Sequence, residues 1–129
     1  DEKKPPIQPY IRYSDGKSQL IFKVYYEANE WLYMKGFLVS ADENRYQFTD
    51  LSFQRGNSDG EFWEWYERPA SKKDLDVLES VVLSEEVRVK LLGVQYHNYR
   101  DITQVQKDGI SDMLRLRGML ELSRKDIKL

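Results

Sequence analysis

The chain has 129 residues, 40% of them hydrophobic and 13% aromatic, with no cysteine. At this length one core buries roughly two thirds of the surface that the unfolded chain exposes, which predicts a single domain that folds alone and excludes a disordered tract. A net charge of −2 gives no general field for nucleic acid or an anionic membrane, and the missing thiols remove disulfides, thiolate nucleophiles, iron–sulfur clusters and thiolate zinc sites.

No apolar run approaches the roughly 18 residues that cross a bilayer. The opening Asp1-Glu2-Lys3-Lys4-Pro5-Pro6 is charged and proline-bearing, and residues 1–9 are expected to be a tether ahead of one domain over 10–129. Such a lead fits an exported protein, secreted or lipid-anchored in its full-length form. Prolines lack the amide donor of a ladder, so order is expected to begin near Tyr10 with an edge strand, Tyr10 to Tyr13. Asp15-Gly16 tolerates the positive φ of a tight turn and predicts a hairpin into a strand from Gln19 to Glu27. Leu20, Phe22, Val24 and Tyr26 share one face of it and should be core, while Lys23, Tyr25 and Glu27 share the other.

Trp31 to Ser40 reads as a long strand with a bulge or close approach at Gly36. Tyr46 and Phe48 alternate with Arg45, Gln47 and Thr49 in a half-buried strand. Gln54 to Gly60, with two glycines, reads as a loop or hairpin tip before an aromatic strand, Glu61 to Glu67. Ser71 and Asp74 form a capping box for a helix over about 72–83 whose apolar stripe is Leu75, Leu78 and Val82. Glu86 to Leu92 is a strand, with a bulge expected at Gly93 and a continuation from Val94 to Tyr99. Thr103 and Gln106 form a second capping box, opening a helix to about Leu122 with a stripe of Ile110, Met113, Leu114, Leu116 and Leu120. A frayed tail is expected from Arg124. The fold class is α+β: about seven mainly antiparallel strands, a short middle helix and a long C-terminal helix.

Histidine chemistry rests on one residue, His97, so metal clusters fail on count. A Ser–His couple lacks a nucleophile elbow. Asn57-Ser58-Asp59-Gly60-Glu61 has calcium-like oxygens, but EF-hand register would place Arg55 and Tyr66 at ligand positions, leaving an ordinary turn. No cofactor or metal is expected. Glu61, Glu64 and Glu67 beside Trp63 and Trp65 raise the two-carboxylate chemistry of glycosidases, yet period two sets Glu64 on the face opposite Glu61 and Glu67. Trp63 and Trp65 are either core, the commoner fate of tryptophan in a small domain, or a platform for a sugar or partner side chain.

Tyr96, His97, Tyr99 and Arg100 form a polar, aromatic run of the kind found at interfaces. Arg100 paired with a nearby acid is the structural alternative. Together with Trp63-Glu64-Trp65, the layout from Glu86 to Ile110 resembles uncharacterised domains of exported bacterial proteins, lipoproteins among them. The layout in question is a basic-alternating strand, a glycine, Gln95-Tyr96, then Arg100-Asp101-Ile102-Thr103 opening a helix. That resemblance implies an extracytoplasmic setting and assigns no activity and no catalytic residue. The expected function is a non-enzymatic binding or protein-interaction module, with protein or carbohydrate as partner and Trp63, Trp65, Tyr96, His97, Tyr99 and Arg100 as contact residues. The alternatives are a small hydrolase using His97 or the Glu61/Glu64/Glu67 group, and an inhibitor or immunity-type protein.

Overall fold

The computed structural model of the chain describes residues 4–127. In chain order it contains β1 (Tyr10–Ser14), β2 (Lys17–Ala28), β3 (Met34–Ala41), β4 (Asn44–Phe48), β5 (Gln54–Ser58), β6 (Glu61–Pro69), α1 (Lys72–Leu83), β7 (Val87–Gly93), β8 (His97–Asp101) and α2 (Gln104–Ile127). The strands form two antiparallel four-stranded sheets, ordered β1-β2-β6-β5 and β4-β3-β7-β8. This is the α+β class expected, with a short middle helix and a long C-terminal one. Among the described residues no helix is long and apolar enough to cross a membrane.

Local chemistry accounts for the hairpins. Asp15 and Gly16 sit at φ 53° and 74°, and Asp59 and Gly60 at 48° and 80°. Both pairs have the left-handed geometry that suits two-residue turns between twisted strands. The second turn makes Gln54–Ser58 a true strand, one more than expected. Its sequence has little β propensity, and its ladder with β6, from Gln54↔Trp65 to Ser58↔Glu61, overrides that weakness.

The inner sides of both sheets share one core, with Phe22 of β2 against Phe37 of β3 and Phe48 of β4 at ring separations of 6.2 and 5.8 Å. Leu20, Phe22, Val24 and Tyr26 are all buried there, as the alternation of β2 predicts. In α1 the buried stripe is Val77, Leu78 and Val81, with Leu75 and Val82 only partly covered, so the helix is rotated from the expected face. Both capping boxes form: Ser71 with Asp74, and Thr103 with Gln106. Ile110 is buried and Met113 and Leu114 half cover the core, but Leu116 is exposed. Lys107 is buried with its ammonium 3.0 and 2.5 Å from the carbonyls of Ser84 and Glu85, a cation at the carbonyl end of α1.

Several boundaries differ from expectation. Order begins before Tyr10: Ile7 is buried and bridges Val24, and the Gln8 amide donates to the Lys23 carbonyl at 2.8 Å. The rest of the expected tether, Asp1 to Lys3, lies outside the described residues. β3 starts at Met34, because Tyr33 takes φ 58° and ends any extended run from Trp31. The register shift at Gly36 is present, and a Cβ there would collide with the Phe48 carbonyl oxygen. Gly93 ends β7 in a tight turn, its amide donating to the Tyr96 carbonyl at 2.8 Å. What reads as one bulged strand is therefore a hairpin, β7 to β8. Helix α2 continues to Ile127 where fraying was expected; the last two residues of that expected tail lie outside the described ones.

Candidate functional site

Strand β6 turns two charged residues, Glu64 and Arg68, inward. Glu64 is 1% exposed, and its carboxylate accepts the backbone amides of Leu32, Tyr33 and Met34 at 2.8, 3.1 and 2.6 Å. The Arg55 guanidinium adds a contact at 3.4 Å. Two residues beyond Tyr66, Arg68 makes a bidentate pair with the fully buried Asp74 at 2.9 and 2.8 Å. That carboxylate holds the Arg68 pKa above its ordinary value, the hydrogen bond contributing most. Buried charge is tolerated because each group is hydrogen-bonded.

Period two then sends Trp63, Trp65 and Glu67 to the outer face. There Trp65 lies opposite Tyr25 of β2, and Trp63 opposite Glu27. Both tryptophans are half-buried and absent from the core, so the platform geometry occurs and the core geometry does not. Trp63 lies over Gly56 of the neighbouring edge strand β5, where a Cβ would come within 2.5 Å of the indole nitrogen. Any larger residue at 56 would lift the ring. Tyr25, Trp63 and Trp65 line a shallow depression of about 450 Å³ whose rim is Lys4, Lys23, Glu27 and Glu61.

Tyr25 engages part of the charged rim. The Tyr25 hydroxyl donates to Glu27 at 2.9 Å; burial, and then this carboxylate, push its pKa up to about 12. Lys4 and Lys23 stand 5.5 and 5.6 Å from the Tyr25 ring centre. At the far end of the face Glu67 accepts from the Tyr10 hydroxyl at 2.5 Å and from Arg12 at 2.9 Å.

The other expected contact residues lie on the second sheet. Tyr96 is 73% and Tyr99 46% exposed. His97 is exposed and meets the Tyr99 ring edge-on at 5.4 Å. Arg88 and Lys90 of β7 flank Tyr99 at 5.1 and 5.8 Å, and Arg88 pairs with Asp101 at 2.9 Å. Arg100 turns the other way, its guanidinium 4.9 Å from the Tyr26 ring centre and bonded to the Tyr99 and Glu27 carbonyls. It braces the two sheets and pairs with no acid among the described residues, contrary to the alternative of a local ion pair.

The structure thus joins Trp63 to Trp65 on one face and leaves His97 and Tyr99 on β8 of the other sheet, with Tyr96 in the turn before it. The acidic group is split as expected, and Glu64 is committed to three backbone amides. Among the described residues no group of three metal-ligating side chains occurs, and the calcium-like segment is the β5–β6 turn. Sequence reading did not single out Tyr25, Glu27, Lys23 and Lys4. The shared face of Lys23, Tyr25 and Glu27 is visible in the alternation of β2, but its union with the tryptophans needed the β2–β6 pairing. Comparison of the chain with protein-family models, curated proteins and solved structures found no match.

Proposed function

We propose that this domain is a non-enzymatic binding module, working outside the cytoplasm, whose contact surface is the outer face formed by Tyr25, Trp63 and Trp65. The observation that carries this reading is the outward placement of both tryptophans, half-exposed beside Tyr25. Clustered aromatic surface left in water costs free energy that a ligand recovers on binding, and tryptophan and tyrosine dominate binding hot spots. The extracytoplasmic setting is supported by the resemblance of residues 86–110 to exported domains. A hydrolase built on Glu64 is disfavoured, since this carboxylate is 1% exposed and held by three amides and Arg55, out of reach of a substrate proton.

A second reading, an inhibitor or immunity-type protein, is favoured by exposed Tyr96 and by exposed Tyr99 with Arg88 and Lys90 beside its ring. Retention of the purified domain on isolated cell-envelope material separates the two. Loss of retention in Trp63→Ala/Trp65→Ala, with Tyr96→Ala/Tyr99→Ala unaffected, is the expected result. The opposite pattern transfers the function to the second sheet.

A further inference from the structure

Resting on that reading, we propose that the Trp63–Trp65 face binds a neutral, β-linked chain of gluco-configured pyranoses. Trp63 packs against Gly56 and stays half-exposed on the outer face. Trp65 stands two residues along the same strand, about 7 Å further on at the usual rise per residue, with Tyr25 beside it across the ladder. The result is two tryptophans in line along the strand, with Tyr25 to one side of Trp65. Gluco-configured pyranoses carry their ring hydroxyls equatorially and present C–H groups on both faces, so a β-linked chain offers flat apolar faces with hydroxyls at the edges. Aromatic faces, which carry the negative side of the ring quadrupole, are complementary to such C–H surfaces.

Charge complementarity selects the same ligand. The rim sets Glu27 and Glu61 against Lys4 and Lys23, so neither sign of ligand is drawn in. Both lysines already stand by the Tyr25 ring, which disfavours a further cation in an aromatic cage. An anion would meet Glu27 and Glu61. A neutral polyol instead donates to these carboxylates and accepts from the ammonium groups, using both signs at once.

The test titrates the full chain with cellohexaose and with chitohexaose, followed by tryptophan fluorescence and by calorimetry. Saturable binding of at least one hexasaccharide is expected. Trp63→Ala and Trp65→Ala should each weaken it about tenfold or more, while Trp63→Phe retains most of the affinity and Tyr96→Ala all of it. Melting temperatures of the variants separate loss of the platform from loss of the fold. Binding of neither hexasaccharide at millimolar concentration overturns the proposal, as does binding that both alanine variants leave unchanged in folded protein. Tryptophan-dependent retention on envelope material that protease treatment of the material abolishes, with both hexasaccharides inert, would sink the glycan and leave the binding face. Retention indifferent to both tryptophans would sink the two together.

Discussion

Strands β6 and β7 lie in different sheets around the same core and are patterned in opposite senses. β7 keeps Val87, Val89 and Leu91 buried and sends Arg88 and Lys90 outward. β6 turns Glu64 and Arg68 inward, where amides and Asp74 receive them, and leaves Trp63 and Trp65 outside. β7 needs no explanation beyond apolar burial. In β6 two charged residues are structural and two tryptophans are offered to solvent, although Tyr66 still packs on the core and Glu61 and Glu67 share the outer face. This partial departure from the local rule is the feature on which the proposed binding face rests.

The sharpest break of this contrast is Glu64→Ala. It would strand the amides of Leu32, Tyr33 and Met34, of which Leu32 and Met34 belong to buried residues. A loss of about 3–5 kcal/mol in urea unfolding is expected. Glu64→Gln, which keeps one accepting oxygen, should fall between wild type and alanine. A loss below about 0.5 kcal/mol would show that the clamp is incidental.

On β7 the equivalent inward position is apolar, and Leu91→Ala, at a site with 0% exposure, should cost about 2–5 kcal/mol. Trp63→Ala should cost well under the roughly 3–5 kcal/mol of a core aromatic truncation, since the ring covers Gly56 and little else of the interior. A full core-sized loss would mean that the tryptophans serve stability and would move the contact surface elsewhere.

Tyr25 gives a pH signature to the aromatic face. Its pKa is raised from 10.0 to about 12, so the folded chain holds the phenolic proton more tightly than the unfolded chain. The stability this contributes is complete below about pH 10 and is lost as pH rises through 12. Tyr25→Phe should flatten that alkaline decline, read from unfolding midpoints between pH 9 and 12, values on either side of the ordinary tyrosine range near 10. An unchanged decline would place the responsible group elsewhere. The smallest effect is expected on the second sheet, where Tyr96→Ala, at 73% exposure, should shift stability by no more than about 0.5 kcal/mol.

The sequence by itself determined what each residue settles with its near neighbours. Asp15-Gly16 and Asp59-Gly60 make tight turns because both residues accept positive φ. Ser71 and Thr103 start helices because a hydroxyl can take an orphan amide. The alternation of β2, β4 and β7 sorts their faces because one side of each is apolar. Only the tertiary structure decided the rest. Glu64 could turn inward because the distant segment from Leu32 to Met34 brought three amides to it, and nothing within β6 announces those partners. The same turn put Trp63 and Trp65 outside, paired them with Tyr25 and Glu27, and made a strand of β5 through its ladder to β6. Strand alternation states which residues share a face. Which face is buried depends on the groups that wait on the other side.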